Sequence, residues 1–181
     1  MKELSLHILD IAKNSVKAKA SLIEILITED EEKNLLTIGI NDNGCGMTEE
    51  FLKNVKDPFQ TTRTTRKVGM GIPLFEAASV QAGGGLTITS EVGVGTKDFV
   101  TFQYNHIDRA PLGDMTGTMK TLIWGSPEID FLYRHTKNGR EFILDTREIR
   151  SVLGGVPLDT PDVLAWIDEY ISEGLCDISV S

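Results

Sequence analysis

The chain has 181 residues, is 40% apolar and carries a formal net charge of −9, so it holds enough apolar sequence for a real core. Its acidity argues against a general nucleic-acid or anionic-membrane surface, which needs clustered Lys and Arg, and no apolar run approaches the roughly 18 residues of a membrane span. With only Cys45 and Cys176 a disulfide framework is not expected, and with no basic-then-apolar layout at Met1–Ser5 a reducing cytoplasm is the expected compartment.

Leu4 to Ala20 reads as an amphipathic helix with Leu6, Leu9, Val16 and Ala20 on its apolar side, widened by Ile8 and Ile11. His7, Asp10, Asn14 and Lys17 follow helical spacing and form a polar stripe. Leu22–Thr28 and Leu35–Asn41 are predicted strands joined by the acidic turn Glu29-Asp30-Glu31-Glu32, an antiparallel hairpin. Thr48 caps a short helix to about Lys56. Asp57–Val68 is rich in Thr and Arg and poor in apolar pattern, which fits a lid loop. A helix follows from Gly71 to about Gln81, then strands at Leu86–Glu91 and Asp98–Tyr104.

Ile107–Thr118 reads as a connector and Met119–Trp124 as a strand. Phe131–His135 and Glu141–Asp145 flank Lys137-Asn138-Gly139, a hairpin signal because Asn-Gly accepts positive φ. Two helices close the chain: Thr146–Leu153, stopped by Gly154-Gly155, and Pro161 to about Glu173, capped by Thr160 and ended by Gly174. The pattern predicts an α+β fold, a two-layer sandwich with helices on one face of a mixed, mostly antiparallel sheet. Residues 1–105 form its core, and 106–181 a C-terminal extension of linker, strand, hairpin and two helices.

Two glycine-rich segments, Asp42-Asn43-Gly44-Cys45-Gly46-Met47 and Lys67-Val68-Gly69-Met70-Gly71-Ile72, bracket the Thr/Arg loop. Asp42 offers a carboxylate at a strand end, and Gly44 and Gly46 let the backbone turn close to a planar ligand. Gly69 and Gly71 open a helix whose unpaired N–H groups favour phosphate, with Arg63, Arg66 and Lys67 beside it. With a third glycine segment at Gly93-Val94-Gly95-Thr96, the order specifies a pocket for ATP.

These motifs resemble the GHKL superfamily of ATP-binding domains, shared by histidine kinases, anti-sigma-factor kinases, gyrase B subunits, Hsp90 and MutL. Asp10–Ala18 is similar to the family's Asn-bearing helix, and Asp57-Pro58-Phe59-Gln60-Thr61-Thr62-Arg63 to the Phe box of histidine kinases. The three glycine segments match its glycine boxes, so the resemblance covers about residues 4–104 and implies a Bergerat-type sandwich. It implies Asn14 as the Mg²⁺ ligand, Asp42 as acceptor from the adenine amine with Thr96 assisting, and Lys17 reaching the γ-phosphate. The N–H groups of Gly69, Met70 and Gly71 would cradle phosphates. The motifs bring Gly44, Gly46, Met47, Thr61, Thr62, Arg63, Arg66 and Lys67 into the nucleotide site. Asp10 stands where the superfamily's kinases and ATPases carry a Glu general base.

The chain offers only His7, His106 and His135 and no helical hairpin bearing a phosphoacceptor, so autophosphorylation in the usual arrangement is not expected. Residues 106–181 are too few for the transducer of an ATPase clamp. The resemblance implies a kinase-type domain that passes the γ-phosphate to, or signals to, a partner protein in trans. The alternative is a nucleotide-sensing module with little or no turnover. A homodimer stays open, and the extension is either a partner surface or a cover for the sheet edge.

Overall fold

The structure, a computed structural model, describes residues 3–57 and 70–180. The described strands form one six-stranded sheet. β1 (Leu22–Asp30) and β2 (Leu35–Asp42) make the predicted hairpin, from Ile23 opposite Asp42 to Asp30 opposite Leu35. β3 (Gly85–Glu91) and β4 (Gly95–Gln103) make a second hairpin, and β4 adds antiparallel to β2. β5 (Asp130–Lys137) and β6 (Arg140–Asp145) make a third, with Asn138 and Gly139 at positive φ in its turn. β5 joins β1 in parallel, giving the order β3-β4-β2-β1-β5-β6.

Only one register of each strand is deeply buried. Ile23, Ile25 and Ile27 on β1, Leu36, Ile38 and Ile40 on β2, and Phe131 and Tyr133 on β5 lie within 1% of full burial. Each such aliphatic side chain contributes about 1.5–3 kcal/mol. On the other register Phe99 and Ile143 stay about half exposed, as period-2 alternation in a two-layer fold requires. The helices supply the second layer. α1 (Leu4–Lys17) packs on β2, α2 (Glu49–Asn54) on β3, and α3 (Gly71–Gln81) on β3, β4 and α1. α4 (Met115–Gly125) packs on α1 and α6, α5 (Thr146–Leu153) on β5, and α6 (Pro161–Ser179) on β5 and β6.

Three expectations are corrected. Met119–Trp124 is not a strand but the second half of α4, whose Met115, Met119, Leu122 and Ile123 are buried at helical spacing. Thr, Ile and Trp suggested a strand there. The helix forms because Asp114 caps it, its Oδ1 accepting from Gly117 N at 2.8 Å, and because both neighbouring helices bury its apolar stripe. α6 does not stop at Gly174 but runs on to Ser179. A Cβ at residue 174 would overlap the Phe142 ring, so this glycine serves close packing rather than termination. The buried face of α1 centres on Leu4, Ile8, Ile11, Ala12 and Ser15, while Leu6 is exposed. His7 leaves the polar stripe and stacks on Phe75, 5.0 Å between ring centroids.

The connector before α4 also ties down α1. Glu3 makes no side-chain cap, and the first donors of the helix go instead to Pro111 O (from Leu4 N, 2.9 Å) and Leu112 O (from Ser5 N, 2.8 Å). At the far end of the β1–β5 ladder a polar chain runs from the buried Tyr133 and His135 to the partly buried Glu29 and Tyr104. Tyr133 Oη lies 2.7 Å from His135 Nδ1, His135 Nε2 lies 2.6 Å from Glu29 Oε2, and Tyr104 donates to Glu29 Oε1 at 3.2 Å.

Candidate functional site

The sheet register creates a cleft at the opposite end. Asp42 closes β2 across from Thr96 on β4, and Ile40 one pleat earlier faces Asp98, so Asp42, Thr96 and Asp98 share the helix-bearing face. The C-terminal half of α1 forms the facing wall. Between them lies a cavity of about 370 Å³, to which Asn14, Lys17, Asp42, Gly46, Met47 and Thr96 contribute from among the predicted residues.

Asp42 is held rigidly. Ser15 Oγ donates to its Oδ2 at 2.6 Å, and Gly44 N donates to its Oδ1 at 2.9 Å. Ser15 is one residue beyond Asn14 and turns toward the sheet, so α1 positions both the amide and the carboxylate. Gly44 is required by close approach, since a Cβ there would sit 2.7 Å from Ala18 O and 2.8 Å from Ala18 Cβ. Cys45 N donates to the same Ala18 O at 2.9 Å, which fastens the loop to the end of α1. Gly46 adopts φ +74°, and a side chain at that position would collide with Glu91 O. Ser90 joins the two glycine loops on the far side, accepting from Met47 N at 2.8 Å and lying 2.8 Å from Thr96 Oγ1.

Of the other predicted residues that are described, Asp10, Gly44, Met70 and Gly71 do not line this cavity. Asp10 lies beside the start of α3, where a Cβ at Gly71 would be 3.4 Å from Asp10 Cβ. Met70 is the N-cap of α3, and because Pro73 has no N–H the backbone donors of its first turn are those of Gly71 and Ile72. Phe59, Thr61, Thr62, Arg63, Arg66, Lys67 and Gly69 lie outside the described residues.

Among the described residues, two buried polar atoms in the cleft have no hydrogen-bond partner, Asn14 Nδ2 and Asp98 Oδ1. Burial pushes the Asp98 carboxyl up to about 7, and the nearby Asp42 charge adds to the shift. Among the described residues no cluster of three His, Cys, Asp or Glu side chains could hold a metal ion unaided. Asn14 lines the cavity, and its amide carries an oxygen of the kind that fits a cation taking one side-chain ligand and otherwise leaning on phosphates and water.

Ser15, Ser90 and Asp98 were missed by the sequence reading. Ser15 sits inside the Asp10–Ala18 motif and was given no role of its own. Asp98 had a signal: it is the one charge on the inward register Thr96, Asp98, Val100, Phe102.

Residues 2–106 match the family model described as Histidine kinase-, DNA gyrase B-, and HSP90-like ATPase. Over 94 residues, 51% of this chain and 13% of the relative, the sequence is 30% identical to sporulation kinase E of Bacillus subtilis (strain 168). Sporulation kinase C of the same organism is 30% identical over 88 residues, 49% of this chain and 20% of the relative. The chain therefore spans no more than a fifth of the length of these kinases. Its fold is similar to that of the Aquifex aeolicus MutL ATPase domain complexed with ADP, with a TM-score of 0.51, 20% identity, and coverage of 85% of this chain and 70% of that one.

Proposed function

Since the chain belongs to the family of histidine kinase-, DNA gyrase B- and HSP90-like ATPases, we propose that its cleft binds ATP with Mg²⁺ and that the domain acts on a partner protein in the cytoplasm. The observation that carries this reading is the fixed Asp42 carboxylate. Clamped by Ser15 and Gly44, it presents an acceptor to a planar base without further reorganisation. An acceptor at that point takes a hydrogen bond from the adenine amine and meets a carbonyl on guanine. Thr96, oriented by Ser90, supports the same edge of the base.

The phosphates then run toward the start of α3, where the N–H groups of Gly71 and Ile72 open the helix and its dipole favours negative charge. Asn14 supplies the side-chain oxygen for Mg²⁺, which when bound neutralises charge on the outer phosphates. Lys17, one turn further along α1, steadies the γ-phosphate. Asp10 borders the α3 N-terminus and serves as general base, accepting the proton of the attacking hydroxyl or water. In this reading residues 1–105 are the nucleotide core, and 106–181 lengthen its sheet and offer the partner surface. No helix among the described residues is long and apolar enough to cross a membrane.

One observation favours a second reading, that of a nucleotide sensor with little turnover. Asp10 does not line the described cavity, and as Asp it reaches less far than Glu. A misplacement of about 1 Å can cost roughly a hundredfold in rate. The deciding experiment follows transfer of γ-labelled phosphate from ATP to candidate partner proteins and to water, for the native protein and Asp10→Asn. Turnover that falls by ~10²–10⁴ in the variant, with Mg-ATP affinity kept within a few fold, supports the kinase. Turnover untouched by Asp10→Asn sinks the assignment of the base. Absent turnover with partner binding that still differs between ATP and ADP supports the sensor.

A further inference from the structure

Asp98 has no structural reason to be a carboxylate. Its cross-strand neighbours on the inward register are Ile40 on β2 and Ile88 on β3, and the next inward residue on its own strand is Val100. An aliphatic side chain would complete that row. Instead the chain buries an acid that is 4% exposed, and among the described residues its Oδ1 has no hydrogen-bond partner. Buried polar groups in folded proteins almost always have a partner, and a buried orphan acid works against folding. Asp98 also lines the cleft, one pleat deeper than Thr96. A partner can therefore arrive only from the cavity.

We propose that Asp98 is a further specificity-determining residue of the cleft, which hydrogen-bonds the base of the bound nucleotide from the cavity floor. This rests on the reading of the cleft as a nucleotide site and adds to it a contact separate from the Asp42 carboxylate. The two acids do different work. Asp42 receives two protein hydrogen bonds and acts as an acceptor toward the base amine. Asp98, whose carboxyl burial raises to about 7, is about half protonated at neutrality and mostly protonated below it, and in that form it donates to a ring nitrogen. The pairing recognises a base edge with a donor beside an acceptor, as adenine presents with its amine next to a ring nitrogen. Among the described residues, the charged groups that line the cleft with Asp98 are Asp42 on β2 and Lys17 on α1; β3 brings none, and Lys97 lies on the opposite register of β4. Above about pH 7 Asp98 ionises next to Asp42, loses its donor and weakens base binding.

The test is calorimetric titration of Mg-ADP and Mg-ATP into the native protein, Asp98→Val and Asp98→Asn between pH 6 and 8.5, with melting temperatures taken without nucleotide. The proposal expects native affinity to fall as pH rises through about 7. Asp98→Val should melt several degrees higher than native yet bind several-fold to roughly tenfold more weakly, the worth of one hydrogen bond. Asp98→Asn keeps a donor but cannot ionise, so it should recover most of the affinity lost in Asp98→Val and show a flat pH profile. Native-like affinity in Asp98→Val would overturn the proposal while leaving the nucleotide site intact. Failure of the native protein to bind either nucleotide at any pH would overturn both readings, so native binding itself separates the two cases, and weaker binding in Asp42→Asn shows that the nucleotide occupies this cleft.

Discussion

Removing the Glu29 carboxylate tests whether the C-terminal hairpin is bound into the core or merely laid against it. Glu29 closes β1, and His135 on the neighbouring parallel strand approaches it at 2.6 Å with side-chain exposures of 14% and 4%. In Glu29→Ala, His135 Nε2 and the Tyr104 hydroxyl both lose their acceptor. A hydrogen bond to a charged group is worth about 1.5–3 kcal/mol, so with the weaker Tyr104 bond the loss should be about 2–4 kcal/mol. At about 2–4 °C per kcal/mol for a domain of this size, the melting temperature should fall by about 4–15 °C. Differential scanning calorimetry should record one transition in both proteins, because β1 and β5 are paired from Leu22–Asp130 to Glu29–Lys137. The effect should depend on pH. Burial alone would raise the Glu29 carboxyl, but the hydrogen bond and charge of His135, with Lys137 and Tyr104, outweigh it and hold the group below its ordinary 4.5. Such a group stabilises the fold above the unfolded value and loses that contribution as pH falls through the lowered folded value. The gap between native and Glu29→Ala should therefore be full at pH 6 and shrink below about pH 4. A double-mutant cycle with His135→Gln should give a coupling of at least ~1 kcal/mol. Additive losses, or a separate transition for the extension, would refute the reasoning.

Asn14→Ala should weaken ATP binding with Mg²⁺ present and much less in EDTA, while circular dichroism stays near native because Ala suits a helix; equal losses in both buffers would make Asn14 a packing residue. Asp42→Asn should reduce the difference in melting shift between ATP and GTP, and equal shifts from both nucleotides in the native protein would rule out the adenine assignment. Gly44→Ala should lower nucleotide affinity in titration calorimetry and the melting temperature together, because its Cβ would press on Ala18 and part α1 from the Asp42 loop. Gly174→Ala gains about 1 kcal/mol of helix propensity but loses about 1–3 kcal/mol to overpacking against Phe142, so its melting temperature should drop. A rise would mean that the ring yields.

The elements whose local signals are self-contained were legible in the sequence. The β1–β2 hairpin, α3 between Gly71 and Gln81, the Asn138-Gly139 turn and α5 with its left-handed Gly154 cap all follow from alternation, caps and turn residues within a few positions. The glycine segments around Asp42 and before Thr96 were legible for the same reason, and they led to the family. What the chain could not announce was what each element would meet. Met119–Trp124 has strand-like residues and became helix because α1 and α6 bury one side of it. Gly174 carries a termination signal and lies inside a helix because Phe142 needs its space. Leu6 and His7 exchanged their expected places because Phe75 and the sheet fix the rotation of α1. Asp98 reads as an ordinary strand residue until the β2–β4 register sets it between Ile40 and Ile88 at the floor of the cleft. Local propensities act over a few residues and amount to a few tenths to about 1 kcal/mol each, whereas burying one large side chain is worth about 1.5–3 kcal/mol. Where the two disagreed, the tertiary packing decided.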